Sequence, residues 1–153
     1  LRGEVAMASD YDTDFYEWTQ NQAVALAAGH VSELDLVHLA EEIESLGKRD
    51  RRALESYLEA LVMHLLKWIY QPEGRQTGHS WRNTIRTRRR DIRRILRDSP
   101  SLRRQVPDMI EADYQDVRLD ASNETGLPPE TFPEDCPWTA EQVLDEAFWP
   151  GEA

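Results

Sequence analysis

A histidine in the most apolar stretch of the chain is the first residue whose chemistry matters. His64 lies within residues 53–71, one turn before Lys67. An imidazole can bind a metal or act as a general base near neutral pH. A metal site needs several ligands at short spacing, and no second histidine follows at the third or fourth position. We therefore interpret His64 as a half-buried histidine that hydrogen-bonds to a neighbouring helix. The alternative is a small metal-dependent enzyme in which Glu41 or Glu44, together with Lys67, assists His64.

A second histidine, His38, lies four residues before Glu42, which is also a spacing seen in metal sites. Both residues point away from the apolar stripe of their predicted helix. We therefore interpret them as a solvated contact between neighbouring helical turns.

Arginines between Ser80 and Asp98 supply a different chemistry, the electrostatic binding of phosphate. At about 100° per residue, six of them share roughly a third of the helix surface: Arg82, Arg86, Arg90, Arg93, Arg94 and Arg97. Such a face can follow a nucleic-acid backbone. The net charge of −11 favours instead a solvated face, or one that lies against acidic segments of the same chain.

Arg88 differs from these six because it falls inside the apolar stripe of the same helix. Burying an arginine is unfavourable unless a carboxylate meets it. Asp113 also falls inside an apolar stripe, and Glu44 borders one. The sequence therefore predicts a buried or partly buried ion pair between Arg88 and Asp113 or Glu44.

The element that must position these residues is a central helix over residues 53–71. Its apolar arc is broad enough to touch several neighbouring helices, and it consists of Leu54, Tyr57, Leu58, Leu61, Val62, Leu65, Leu66, Trp68 and Ile69. We expect this helix to dominate the core of a bundle. Pro72 should end it, because proline disfavours a helical residue before it.

Two shorter helices are predicted before the central one. The first starts at a cap formed by Asp12 or Thr13 and ends at Gly29. The second starts at Ser32 or Asp35 and ends or kinks at Gly47, so the central helix begins near residue 48.

Two further helices and a strap are predicted after the basic helix. Pro107 should kink or split the helix that follows Ser99. Five prolines between Pro128 and Pro150 favour an extended strap, which Phe132 and Trp138 pin to the bundle. Thr139 opens a capping box and a short final helix that includes Val143, Leu144, Ala147 and Phe148.

Composition limits the class of protein. The 153 residues correspond to one domain, and no apolar run approaches the length of a membrane span. The start lacks a signal region, which indicates the cytoplasm, and the single Cys136 excludes an internal disulfide. Charge is uneven: residues 1–64 carry −8, residues 65–104 carry +9 and residues 105–153 carry −12. We predict an all-α, single-domain bundle of five to six helices over residues 11–150, with a flexible N-terminus at 1–10 and a tail at 151–153.

Several motifs in this order resemble the bacterial domain-of-unknown-function family numbered 29. They are Leu39-Ala-Glu-Glu-Ile-Glu with Gly47, His64-Leu-Leu-Lys-Trp with Tyr70-Gln-Pro, Ser80-Trp81, Ser99-Pro-Ser-Leu, and Glu124-Thr-Gly with Phe132-Pro-Glu-Asp-Cys-Pro. The resemblance runs from about Tyr11 to Pro150. It implies an all-α cytoplasmic bacterial protein, and it implies no catalytic residues. It directs attention to the end of the central helix, where His64, Lys67, Trp68, Gln71 and Trp81 should cluster.

No nucleophile, acid–base or multi-histidine arrangement is apparent in the sequence. We therefore expect a protein-interaction module without enzymatic activity, cofactor or metal, which binds an unknown protein or a second copy of itself. The candidate binding residues are His64, Lys67, Trp68, Gln71, Trp81, Arg88, Glu44 and Asp113. Nucleic acid is the alternative partner, and no membrane is expected.

Overall fold

The computed structural model describes residues 10–77 and 80–152, without the side chains of residues 76 and 77. These residues form six α-helices in addition to a helical stretch at residues 10–13, and they contain no strand. The helices are α1 (Phe15–Ala28), α2 (Leu36–Tyr70), α3 (Gly74–Thr77), α4 (Ser80–Asp98), α5 (Val106–Thr125) and α6 (Ala140–Leu144). Short 3₁₀ turns lie at Val31–Glu33, Pro100–Gln105 and Pro129–Thr131. The all-α prediction is confirmed.

The chain divides by its internal contacts into two compact units, with the boundary between Arg49 and Asp50. We call them the N-terminal unit and the C-terminal unit. The flexible segment predicted at residues 1–10 lies outside the described residues except for Asp10, and so does Ala153 of the predicted tail.

In the N-terminal unit, α1 begins one or two residues later than predicted. The cap is Asp14, whose carboxylate accepts a hydrogen bond of 3.0 Å from the Glu17 N–H. The predicted caps Asp12 and Thr13 were therefore wrong. Gly29 ends α1 as expected, because its φ of 73° belongs to the left-handed region that glycine tolerates.

The helix end predicted at Gly47 is wrong, because α2 runs without interruption over 35 residues. A glycine inside a helix costs only about 1 kcal/mol relative to alanine. The ion pair between Glu44 and Lys48, at 3.1 Å, spans the glycine and helps to hold the turn. Gly47 thus lies inside one helix and does not separate two helices.

The core of the C-terminal unit is built on the second half of α2, as predicted. The buried side chains of α2 are Leu54, Leu58, Leu61, Val62, Leu65, Leu66 and Trp68. They pack against Ile85, Ile92 and Leu96 of α4 and Val106, Met109, Ile110, Tyr114, Val117 and Ala121 of α5. Each such burial contributes roughly 1.5–3 kcal/mol, so this cluster fixes the arrangement of the three helices.

The segment before α5 is split as predicted. A 3₁₀ turn covers Pro100–Gln105, and α5 begins at Val106 with Pro107 in its first turn. Proline fits there because the first turn needs no amide donor.

The strap, residues 127–139, is held to α5 by backbone carbonyls. The Tyr114 hydroxyl donates to the Pro133 carbonyl at 2.7 Å, and Phe132 is buried beside the Tyr70 ring. The predicted capping box at Thr139 is present. However, α6 ends at Leu144, so it is shorter than predicted.

No helix in the described ranges combines the length and the apolar character that crossing a membrane requires.

Candidate functional site

Among the described residues, most of the exposed large apolar side chains belong to the N-terminal unit. They are between 47% and 73% exposed, and comprise Phe15, Tyr16, Val24, Leu26, Val31, Leu36, Val37, Ile43 and Leu46. In the described part of the C-terminal unit, Leu119 alone belongs to this class. Large apolar side chains concentrated in this way mark a binding surface more often than scattered ones do.

Part of this surface forms an open groove between α1 and α2, with a volume of about 330 Å³. We call it the apolar groove. From α1 it is lined by Phe15, Trp18, Thr19, Gln22, Ala23 and Leu26, and from α2 by Leu39, Glu42, Ile43, Leu46 and Arg49. Every lining residue belongs to the N-terminal unit, so the groove is complete within that unit.

One carboxylate fixes the floor of the apolar groove. Asp35 accepts hydrogen bonds from the Trp18 indole N–H at 3.1 Å, and its own backbone N–H donates to the Gln22 side chain at 2.7 Å. The Nδ1 of His38 lies 2.6 Å from the same Asp35 carboxylate. Trp18 and Gln22 are both buried, so this network ties α1 to the start of α2.

Asp35 and His38 each favour the charged form of the other. Hydrogen bonding to Asp35 raises the pKa of His38 above its ordinary value, against the effect of partial burial. Burial acts to raise the pKa of Asp35, but the bonds from His38 and Trp18 outweigh it, so the pKa is lowered. His38 therefore binds Asp35, not Glu42, and its predicted solvated contact with Glu42 was wrong.

Tyr11 covers the other side of the histidine. Its ring stacks on His38 with centroids 3.8 Å apart, and its hydroxyl donates to Glu42 at 2.6 Å. That hydrogen bond raises the pKa of Tyr11 to about 12. Glu42 is thus occupied on the groove wall rather than free to bind a metal with His38.

At the end of α2, His64 hydrogen-bonds within its own helix, so the predicted bond to a neighbouring helix was wrong. His64 Nδ1 lies 2.8 Å from the Ala60 carbonyl, and burial lowers the pKa of His64. Among the described residues, the metal-ligating side chains that converge are Glu55, Glu59 and Asp113, whose ligand atoms lie within 4.8 Å of one another. His64 is not part of that group, so the geometry gives the metal-enzyme alternative no support.

The neighbours of His64 make structural contacts. Lys67 pairs with Glu124 at 3.1 Å and lies 5.1 Å from the centroid of the Trp81 ring. The Gln71 amide donates to the Thr125 carbonyl at 3.4 Å. The residues that the family resemblance emphasised therefore join α2 to α4 and to the end of α5.

Trp68 is the centre of a stack of rings and guanidinium groups. Its ring lies 4.9 Å from that of Trp149, and the guanidinium groups of Arg75 and Arg82 lie over it at 4.8 and 5.1 Å. Its buried indole N–H has no hydrogen-bond partner in the described part of the chain. Arg82 also faces Trp149 and pairs with Glu152 at 3.8 Å.

The six predicted stripe arginines divide into two groups. Arg82, Arg93 and Arg97 pair with Glu152, Glu146 and Asp98, respectively. The other three, Arg86, Arg90 and Arg94, are exposed and form no ion pair with a carboxylate in the described ranges. Three charges, not six, therefore remain on this face.

The partly buried ion pair predicted for Arg88 is present, but both predicted partners were wrong. Arg88 pairs with Asp91 on its own helix at 3.0 Å and lies over the Tyr57 ring. Glu44 is exposed and pairs with Lys48. Arg88 pairs with Asp91 because a carboxylate three residues away on the same helix reaches the guanidinium without any tertiary contact.

Asp113 lies in the acidic cluster instead. Burial and then a hydrogen bond with the Glu55 carboxyl raise the pKa of Asp113. Burial and then the charge of Asp113 raise the pKa of Glu59. These three carboxyl groups repel one another in their charged forms.

Sequence reasoning missed Arg89, the arginine that is buried, with 2% of its surface exposed. Its guanidinium donates to the carbonyls of Val143 at 2.9 Å, Phe148 at 2.8 Å and Gln142 at 3.4 Å. A signal was available, because Arg89 follows Ile85 by four residues and precedes Ile92 by three, which is core spacing.

The chain belongs to the family described as domain of unknown function DUF29, whose model matches residues 11–149. No match was found among curated proteins or among solved structures.

Proposed function

We propose that this chain is a non-enzymatic protein-interaction module of the bacterial cytoplasm, and that its docking surface is the apolar groove. The observation that carries the proposal is the concentration of exposed large apolar side chains in the N-terminal unit. Leaving such side chains in water costs free energy, which a partner that covers them recovers.

The small core of the N-terminal unit supports the same conclusion. Among its described residues, only Trp18, Gln22 and Ala25 are buried. Two helices with so little buried apolar surface gain little stability from their own packing. A partner in the apolar groove would supply the apolar surface that these two helices need to bury their exposed side chains.

Another protein fits this groove better than a second copy of the chain. In the described C-terminal unit, Leu119 is the exposed large apolar side chain, so that unit offers little apolar surface to the groove. A second N-terminal unit would bring like charges together, because residues 10–49 contain nine acidic and two basic side chains. Like charges across an interface oppose association.

Site-specific photo-crosslinking in the host tests this proposal. A photoreactive amino acid replaces Leu46 in the apolar groove or, as a matched control, Leu119; both side chains are about half exposed. We expect a discrete adduct with another protein from position 46 that Ile43→Asp abolishes, and none from position 119.

The same adducts from both positions, or none from position 46, would contradict docking in the groove. Light scattering on the purified chain completes the test. A concentration-dependent dimer that Ile43→Asp dissociates would replace the other protein with a second copy.

Nucleic-acid binding is the second candidate, favoured by the three exposed arginines that have no carboxylate partner among the described residues. Arg86, Arg90 and Arg94 follow one another at four-residue intervals, with about 6 Å of helix rise between them. Three phosphate contacts predict a slope of log K against log salt of about −2 for single strands and about −3 for duplexes.

Anisotropy titrations with labelled DNA and RNA at two salt concentrations test this candidate. Binding should disappear when Arg86, Arg90 and Arg94 become Glu, and persist when the paired Arg97 becomes Glu. Failure to bind at low salt would rule this candidate out.

A further inference from the structure

We infer that the ligand of the apolar groove is a basic amphipathic α-helix, an inference that rests on the docking function proposed above. It adds the conformation and the charge of the bound segment. Both follow from the composition of the groove walls and of the unit around them.

The walls favour a helical ligand because they offer no backbone groups for pairing. Both sides are α-helices, whose amide and carbonyl groups are used internally. An extended peptide laid on the apolar side chains would bury its own backbone groups without partners. A helix satisfies those groups internally and presents only side chains to the groove.

The length of the groove sets the length of the ligand. Its α1 wall extends from Phe15 to Leu26, which at 1.5 Å per residue is about 17 Å, or roughly three helical turns. A bound helix of that length places apolar side chains at positions i, i+3 or i+4, and i+7. Three such side chains would meet the groove.

The charge around the groove favours basic flanks on that helix. Within the lining, Glu42 and Arg49 balance each other. Beyond the lining, residues 10–49 have a net charge of −7. Glu17 and Glu41 are exposed and contribute to that charge, although their helical positions lie on the sides of α1 and α2 away from the groove. Lysine or arginine beside the apolar stripe of the ligand would therefore be attracted, and aspartate or glutamate repelled.

The floor of the groove is already held in place. Trp18 is 2% exposed, and its indole N–H is bonded to Asp35, which His38 also contacts. A large aromatic side chain fixed before binding loses little conformational freedom when the ligand arrives. This preorganisation suits a helix that enters as a rigid body.

Three synthetic peptides of about 14 residues, roughly four turns, serve as probes for the full chain. The first carries a leucine stripe flanked by lysines, the second has the same stripe flanked by glutamates, and the third has the first composition with the stripe scrambled. Fluorescence anisotropy measures their binding at low and at high salt. We expect the lysine-flanked peptide to bind at least about tenfold more tightly than either of the others at low salt.

Two variants locate the binding and its charge dependence. Ile43→Asp should weaken the lysine-flanked peptide by about tenfold or more, because it places a charge in the groove. Glu17→Lys combined with Glu41→Lys changes the net charge of residues 10–49 from −7 to −3 and should therefore reduce the preference for lysine flanks. The matched control, Glu130→Lys with Glu134→Lys on exposed positions of the C-terminal unit, should leave that preference unchanged.

Equal binding of the lysine- and glutamate-flanked peptides, or binding that Ile43→Asp does not weaken, overturns the inference. Absence of binding by all three peptides also overturns it. If position 46 still forms its protein adduct in the crosslinking test, docking stands and only the basic helix is wrong. If that adduct is absent as well, both proposals fall.

Discussion

Replacing Arg89 by methionine should destabilise the C-terminal unit more than any other single arginine change on α4. The buried guanidinium holds three backbone carbonyls: those of Gln142 and Val143 in the last turn of α6, and that of Phe148 beyond it. Carbonyls in the last turn of a helix have no partner within it. The substitution therefore removes the charged donor from the buried Val143 bond and the partly buried Phe148 bond, whereas the Gln142 carbonyl keeps the Asp145 N–H at 3.3 Å.

The magnitude follows from these bonds. The two shorter ones, with a charged donor, are worth about 1.5–3 kcal/mol each, and the third, at 3.4 Å, is weak. The variant also no longer has to desolvate a guanidinium, which offsets part of the loss; burial lowers the pKa of Arg89, which reflects that cost. The net loss should be about 2–4 kcal/mol, which is about 4–16 °C in Tm for a chain of this size.

Urea unfolding followed by circular dichroism measures the loss, and hydrogen exchange of residues 140–148 localises it. Arg90→Met is the matched control, because Arg90 is exposed on the same helix and its change should be within about 0.5 kcal/mol. Arg89→Lys keeps the charge but not the planar group of donors, so it should recover only part of the loss. If Arg89→Met unfolds at the same urea concentration as Arg90→Met, the carbonyl bonds do not stabilise the fold and the reasoning is refuted.

Three further changes test other contacts. Gly74→Ala should destabilise the protein by about 1–3 kcal/mol, because an added Cβ would collide with the Trp81 ring; an unchanged Tm would show that this contact is not tight. The raised pKa of His38 means that its protonated form stabilises the fold. This stabilisation should be fully present below about pH 6.5 and should be lost as the pH rises through the pKa of His38 in the folded protein. Thermal unfolding measured from pH 5 to 9 tests this. An NMR titration that places the His38 pKa below that of a free histidine would contradict its pairing with Asp35. The raised pKa of Asp113 means that its charged form destabilises the fold. Asp113→Asn should therefore raise Tm at neutral pH, and the increase should disappear below about pH 4, where Asp113 is protonated. A lower Tm at neutral pH would show that the charge of Asp113 is needed.

Periodicity was a reliable guide wherever a helix has one strongly apolar side. The arc from Leu54 to Trp68 was predicted and is buried, because a helix of that pattern can bury only that face. Residues that start or end a helix through contacts with their sequence neighbours were also predicted correctly. Gly29 ends α1, Pro107 lies in the first turn of α5, and Thr139 forms its capping box.

The same reasoning failed where two local preferences competed. Glycine at position 47 favours a break, but the cost is small and the surrounding sequence favours a helix, so α2 continues. Asp12, Thr13 and Asp14 can all cap a helix, and the sequence does not say which carboxylate or hydroxyl meets a free amide. Arg88 and Arg89 are neighbours on α4, and the pattern alone placed Arg88 inside, whereas Arg89 is the buried arginine.

The sequence by itself determined that the protein is all-α, which segment forms its core, and how unevenly charge is distributed along it. These properties depend on spacing between near neighbours, which the sequence displays directly. Tertiary structure decided which arginine is buried, because the carbonyls that bind Arg89 come from residues more than fifty positions away. It also decided that the N-terminal unit keeps an exposed apolar groove. Burial of an amphipathic face depends on whether another surface reaches it, and no spacing within the helix carries that information.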